Sequence, residues 1–165
     1  MMERLEHCRA CLAPQPYLFL AMGDHPPANM FVRPTEVGET QPSFSLNTQV
    51  CLHCGLIQIA DQIPADFFRH YLYVPSGATT MHRHFGELAE TLKQHAEDGL
   101  IVDIGCNDGL LLKACNDIGC KTLGIDPAAN LAELANARGV DVHVAYFDPL
   151  TATTLRDDRG AAKVI

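Results

Sequence analysis

The 165-residue sequence predicts an α/β protein: a small N-terminal module stapled by a metal ion, then the first half of a doubly wound parallel sheet. Three observations carry this. Cys8/Cys11 and Cys51/Cys54 make two Cys-x-x-Cys pairs. A glycine-bearing turn, Asp103-Ile104-Gly105-Cys106-Asn107-Asp108-Gly109, follows a short apolar run. Beyond it, strand-like and helix-like segments alternate with short connections, as crossover units require.

Composition removes several classes of function. A formal charge of −8 argues against a nucleic-acid backbone or an anionic membrane surface as the main partner, since both reward clustered Lys and Arg. The sequence contains no run of 18 or more apolar residues, and Met1-Met2-Glu3-Arg4-Leu5-Glu6 is too polar for a signal peptide. The expected location is therefore the cytoplasm, where close cysteine pairs serve metals more often than disulfides.

The N-terminal module is expected over residues 1–61. Its prolines at His25-Pro26-Pro27-Ala28-Asn29 disfavour helix and central strand. Alternation over Ser43–Asn47 predicts a short strand entering the second cysteine pair, and Leu56–Ile59 a strand leaving it. Residues 62–80 read as a linker containing Tyr71 and Tyr73. From Thr80, Phe85, Leu88, Ala89 and Leu92 recur at helical spacing, with Thr79 or Thr80 as cap and Gly99 as the left-handed stop.

Over residues 81–165 the pattern becomes strand (Leu100–Ile104), helix (Leu110–Ile118, stopped by Gly119), strand (Lys121–Asp126), helix (Leu131–Arg138) and strand (Val140–Ala145). Ala161–Ile165 resembles the opening of a fourth strand, which in a doubly wound sheet lies beside the first. Ending there would expose an apolar edge. The expectation is that these residues are the N-terminal portion of a longer protein.

Each Cys-x-x-Cys closes a tight turn that aims two sulfurs at one ion, and two such turns complete the tetrahedral thiolate set of structural zinc. The 39 residues between Cys11 and Cys51 exceed the spacing of a compact finger. His7 and His53 stand beside the thiols and can replace a ligand, but Cys8, Cys11, Cys51 and Cys54 already fill the shell. Reduced, partly buried cysteine pairs, or a redox pair, are the other readings.

The turn after the first strand reads as a cofactor seat. Gly105 permits the sharp turn and Gly109 a close helix approach. Asp103 can bind a cationic amino group or orient the loop, while Asn107 and Asp108 can bond within it or cap the helix. Asp126 ends the second strand 21 residues after Gly105, where a carboxylate can accept both ribose hydroxyls. Phe147 and Asp148 can meet an adenine face and its amine. Read for packing alone, Gly109 is a close-contact glycine, Asp126 a loop cap and Phe147 a core residue. Cys106, Cys115 and Cys120 read as small buried residues.

With these residues in order, the chain resembles the C-methyltransferases that act on nucleotide-linked deoxysugars. The resemblance rests on Cys8-x-x-Cys11, Pro27-Ala28-Asn29, Cys51-x-x-Cys54-Gly55-Leu56-Ile57-Gln58, Tyr71-x-Tyr73-x-x-Ser76-Gly77, His84-Phe85, Asp103 to Gly109 and Gly124-Ile125-Asp126-Pro127. It implies a zinc-binding module followed by the N-terminal part of a Rossmann-like class I methyltransferase domain, using S-adenosylmethionine. It also implies that Asp103, Gly105 and Asn107 surround the methionine and ribose part of the donor, that Asp126 binds ribose, and that Tyr71, Tyr73 and His84 line the sugar side. The implied reaction removes a proton from the carbon beside a ketone, typically C3 of a 4-keto-deoxysugar, and the enolate attacks the sulfonium methyl. Further catalytic residues of such proteins follow the fourth strand, so the 165 residues alone are expected to be inactive.

Two other classes fit parts of the pattern. A nicotinamide-dependent oxidoreductase with an accessory zinc module uses the same strand-end acid, but its Gly-x-Gly-x-x-Gly is absent from this turn. A non-enzymatic zinc-ribbon interaction module on a Rossmann-like scaffold predicts no donor binding.

Overall fold

The computed structural model describes residues 3–165, so Met1 and Met2, with which the N-terminal module was expected to begin, lie outside it. The chain forms two units, Met1–Phe67 and Phe68–Ile165. The segment expected as a linker divides accordingly, with residues 68–80 in the second unit.

The first unit is built from short antiparallel strands: β1 (Glu3–Arg4), β2 (Tyr17–Leu20), β3 (Asp24–His25), β4 (Phe44–Ser45), β5 (Thr48–Val50), β6 (Ile57–Ile59) and β7 (Asp61–Gln62). Three of them make a sheet in the order β2-β5-β6; β1 pairs with β7 and β3 with β4. β5 and β6 flank the second cysteine pair; β6 falls within the expected Leu56–Ile59, whereas Ser43–Asn47 holds β4, which pairs with β3, and the strand that enters the pair is β5. This unit has little apolar core. Among the described residues its buried apolar ones are Cys8, Cys51 and Ala60, while Leu18, Phe19, Leu20, Ile57 and Ile59 are exposed. Buried polar side chains supply cross-links instead: Gln58 accepts from the Arg9 N–H (2.9 Å) and donates to the His7 carbonyl (3.3 Å), and Gln49 donates to the Leu5 carbonyl (3.3 Å). A unit so poor in apolar burial depends on further staples.

The second unit runs α1 (Thr79–Ala96), β8 (Leu100–Ile104), α2 (Leu110–Asp117), β9 (Lys121–Ile125), α3 (Ala129–Ala137), β10 (Val142–His143), α4 (Pro149–Arg159) and β11 (Ala162–Val164). Its strands form a parallel sheet in the order β10-β9-β8-β11, so the fourth strand flanks the first. Side chains alternate across the pleat. Ile101 packs with Ala89, Ala96, Leu112, Ala135 and Val140 on one face; Leu123, Ile125 and Leu155 meet Leu100 and Val102 on the other. Among the described residues no helix is long and apolar enough to cross a membrane.

Several local expectations change. Neither Thr79 nor Thr80 caps α1: both lie inside its first turn, and the N-cap position is Ala78, with no side-chain bond. Glu97 (φ 53°, ψ −117°), not Gly99, takes the positive φ at the end of the helix, and its N–H bonds the Lys93 carbonyl. Gly99 is needed for another reason: a Cβ there would lie 2.5 Å from Lys163 Cβ of β11. The third strand contracts to two residues. α4, which the sequence reading did not assign, starts where the Asp148 carboxylate accepts the Thr151 N–H at 2.7 Å and Pro149 fills the first turn.

Candidate functional site

In the first unit the sulfurs of Cys8, Cys11, Cys51 and Cys54 lie within 4.8 Å of one another, with Cys8–Cys54 and Cys11–Cys51 each at 3.6 Å. Zinc about 2.3 Å from each sulfur spaces them about 3.8 Å apart, so the set fits one tetrahedral ion. Both turns share one hydrogen-bond pattern. The Leu12 N–H reaches the Cys8 carbonyl (3.0 Å) and the Cys8 N–H the Ala13 carbonyl (2.9 Å); Gly55 and Cys51 repeat this with the Cys51 and Leu56 carbonyls (2.8 and 2.9 Å). Each turn passes through the left-handed region, at Leu12 (φ 60°) and Gly55 (φ 81°).

The four thiols are electrostatically unequal. The Cys11 N–H, and then that of Ala10, hold the Cys8 thiol down to about 6 against the effect of burial. The Cys54 N–H lowers Cys51 in the same way. Cys11 moves oppositely: the Ala13 N–H favours its thiolate, but burial and the three neighbouring sulfurs push it up to about 12. Four thiolates in one cluster need a cation to neutralise them, which a divalent ion supplies.

In the second unit a cavity of about 440 Å³ opens at the carboxyl ends of β8 and β9, where open α/β sheets bind ligands. Ile104, Gly105 and Asn107 line it from the first turn and Asp126 from the second; Phe68, Tyr71, Tyr146 and Phe147 add aromatic walls. Asp126 is 7% exposed. Its Oδ2 accepts the Asn107 N–H at 2.9 Å and its Oδ1 the Ala128 N–H at 2.8 Å. A carboxylate has about four lone-pair sites, so one acceptor position per oxygen remains for a pair of vicinal hydroxyls. Gly105 takes φ 81°, and a Cβ there would meet nothing within 4 Å, so the turn demands the glycine while the space above it stays open.

Supporting contacts fix this mouth. Asn107, itself left-handed at φ 53°, accepts the Asp108 N–H on its Oδ1 at 2.7 Å. Asp108 is fully buried, and Arg138 Nη1 reaches its Oδ2 at 2.6 Å and its carbonyl at 2.9 Å. Arg138 Nη2 also donates to Ser76 Oγ at 2.7 Å. Asp108 Oδ1 has no partner among the described residues, which leaves that carboxylate dependent on Arg138. Asp103 is raised above the usual carboxylate range, first by burial and then by the charge of Asp126. Burial, then Asp103 and Asp126, push the Cys106 thiol up to about 12, so it is an inert packing group. Its sulfur occupies the space beside Gly124, where a Cβ would come within 2.5 Å of it.

Of the residues singled out in the sequence, Tyr71, Gly105, Asn107, Asp126 and Phe147 meet at this cavity. Gly109 faces away from it: a Cβ there would press on Ala135 (2.9 Å) and Val140 (3.2 Å), the packing alternative. Asp148 is the exposed cap of α4 and Asp103 lies beside Asp126; neither lines the cavity. Tyr73 is 42% exposed and outside the lining, and the exposed His84 ring stands 5.4 Å from that of Phe85. Sequence reasoning missed Asn130 and Arg138, which hold the mouth from α3. The only trace of Asn130 is its place four residues after the strand-end acid, and Arg138 carries none. A second, apolar cavity of about 210 Å³ lies beneath α4 on one face of the sheet and shares Ile125 and Phe147 with the first.

The chain is thus an N-terminal four-cysteine module followed by a Rossmann-like core whose parallel strands run β10-β9-β8-β11. The sequence profile of a family described as a zinc binding domain matches residues 8–68. The chain is 28% identical to NovU, a C-methyltransferase of Streptomyces niveus, over 98% of its own length. It spans 39% of the length of that relative. Among solved structures it is similar to S-adenosylmethionine-bound CalS10, an amino pentose methyltransferase from Micromonospora echinaspora involved in calicheamicin biosynthesis. There the identity is 22%, the coverage 48% of this chain and 39% of that one, and the TM-score 0.36.

Proposed function

We propose that the protein is an S-adenosylmethionine-dependent C-methyltransferase whose acceptor is a nucleotide-linked 4-keto-deoxysugar, and that its zinc is architectural. One observation carries the donor assignment: a buried carboxylate, fixed by two backbone N–H groups, lines an open cavity at the strand ends with acceptor capacity to spare. The likeness to a C-methyltransferase supports the same reading.

When bound, S-adenosylmethionine supplies an electrophilic sulfonium methyl group. Asp126 accepts the ribose hydroxyls, Gly105 lets the ligand approach the backbone, and Phe147 and Tyr146 offer faces for the base. Tyr71 walls the acceptor side. Its phenol O–H is a hydrogen-bond donor, so it suits holding the ketone oxygen better than removing the carbon-bound proton. Tyr73 and His84 belong to the same proposal, as acceptor-side groups outside the cavity lining. The acceptor machinery is completed by the remainder of the methyltransferase domain in a protein as long as its relative, and the 165 residues alone do not turn over. Residence in the cytoplasm accords with four reduced cysteines.

Titration calorimetry with S-adenosylhomocysteine and with NAD tests the reading. Saturable binding of S-adenosylhomocysteine at one site, weakened roughly tenfold to a hundredfold in Asp126→Ala, is expected. Binding of NAD alone identifies an oxidoreductase instead, and binding of neither identifies an interaction module.

A further inference from the structure

We propose that Asn130 and Arg138 are positioning residues: helix α3 grips the Tyr71–Ser76 segment at both ends and so fixes Tyr71 against the cavity that Asp126 lines. This rests on the methyl-donor reading and adds to it the device that holds the acceptor side in register with the donor side. The Asn130 carboxamide pairs with both backbone groups of one residue 59 positions away. Its Oδ1 accepts the Tyr71 N–H at 3.1 Å, and its Nδ2 donates to the Tyr71 carbonyl at 2.7 Å. Only one orientation of the amide satisfies both. At the other end of the helix, Arg138 Nη2 holds Ser76 Oγ at 2.7 Å. Between these anchors the Tyr71 ring lies 5.8 Å from that of Phe68, and both line the cavity.

The link to the donor side is equally short. Asp126 Oδ1 accepts the Ala128 N–H, and α3 begins at the next residue, Ala129. A hydrogen-bonded path therefore runs from the ribose-facing acid through the first turn of α3 to the tyrosine, with Asn130 as its last member. Arg138 closes a second path, from Ser76 to Asp108 and its carbonyl in the turn that carries Gly105 and Asn107. α3 thus ties the segment to both turns that build the cavity. A carboxamide is required at residue 130 because the site needs one acceptor and one donor at a fixed short reach. Alanine supplies neither, and a carboxylate supplies only the acceptor.

The test measures amide hydrogen exchange at Tyr71 and affinity for S-adenosylhomocysteine in the same preparations. In Asn130→Ala, Tyr71 exchange should accelerate roughly tenfold or more, while S-adenosylhomocysteine affinity stays within about threefold of wild type. Asn130→Asp keeps the acceptor but turns a carboxylate toward the Tyr71 carbonyl. Its Tyr71 protection should be poor at neutral pH and recover on acidification, when the protonated carboxyl can donate; a role in packing alone gives no such response. Arg138→Lys should loosen Ser76 and raise Tyr71 exchange by less than Asn130→Ala does, since the direct bonds to Tyr71 remain. Unchanged Tyr71 protection in Asn130→Ala, or a pH-independent Asn130→Asp, overturns the proposal. So does a fall in donor affinity that matches the loss of protection. If wild type binds no S-adenosylhomocysteine, the methyl-donor reading fails and this inference falls with it; if wild type binds and protection is unchanged, only the clamp is lost.

Discussion

Asp126 Oδ2 accepts the backbone N–H of Asn107 at 2.9 Å, joining the turns after two neighbouring strands through one carboxylate. With Ala128 on its other oxygen, the side chain is a structural tie that also lines the cavity, and in the proposed function it holds the donor's ribose. Asp126→Ala should therefore destabilise the protein by about 2–4 kcal/mol, because two N–H groups lose a charged partner. Asp126→Asn, which keeps one acceptor, should cost less. Both should weaken S-adenosylhomocysteine by roughly tenfold to a hundredfold, measured by calorimetry beside denaturant melts.

Arg138 is the only partner of the fully buried Asp108 carboxylate among the described contacts. Removing it as Arg138→Ala strands that charge. Because the guanidinium side chain is itself one-third exposed (33%), the expected cost is the lower part of the range for broken buried pairs, about 2–3 kcal/mol. In a double-mutant cycle, Asp108→Asn with Arg138→Ala should cost clearly less than the sum of the single changes. Additive losses would show that the pair carries no coupling.

Metal removal should act on one unit. Metal analysis should find about one zinc per chain, lost in Cys51→Ser or Cys54→Ser. All four α-helices among the described residues lie in the second unit, so chelation should leave most of the helical circular dichroism while the first unit becomes sensitive to protease. Helical signal collapsing together with the metal would contradict this division.

The two cysteine turns make matched backbone bonds with different residues at the left-handed position. Leu12 is 72% exposed there, so little packing offsets its strain. Leu12→Gly should stabilise the first unit by about 0.5–1 kcal/mol, and Gly55→Ala should destabilise it by about 1 kcal/mol. Thermal melts of the zinc-loaded protein test both signs. Equal effects of one sign would show that backbone strain does not govern these turns.

Asp103 gives a pH-dependent prediction. Its folded pKa is raised by burial and by Asp126, so the folded state holds this proton more tightly than the unfolded chain does. Stability from this group is complete below the unfolded carboxylate range and is lost as pH rises through the elevated folded value. Asp103→Asn should thus raise the melting temperature at neutral pH, with a gain that shrinks toward pH 4. A gain independent of pH would point to packing instead.

How far the site could be read from the sequence depended on the range of each interaction. The clustering of the four cysteines and the meeting of Gly105, Asn107 and Asp126 at one cavity were legible because a tight turn and a strand end are encoded by short spacings. Asp148 was misplaced by the same kind of reading: a carboxylate after a third strand suits an adenine amine, but Asp-Pro-Leu-Thr is also a helix start, and the unassigned α4 begins there. The cap of α1 failed similarly, since the threonines fell inside the helix once its first turn reached back to Thr79. Gln58, quoted only for its place in a motif, proved to brace the first cysteine turn from β6.

The order of elements, the parallel character of the sheet and the chemistry of the thiolate set were determined by the sequence alone, because periodicity, glycine placement and ligand type are local properties. Which side chains share a cavity was decided only by the tertiary structure. Asn130 with Tyr71, and Arg138 with Asp108 and Ser76, are brought together by the crossover path of α3. Contacts across 30 to 62 positions leave no periodic or spacing signal in a single chain. The same packing turned Gly109 toward Ala135 and Val140 and left Tyr73 and His84 outside the lining, since facing is settled by the neighbours a folded segment meets.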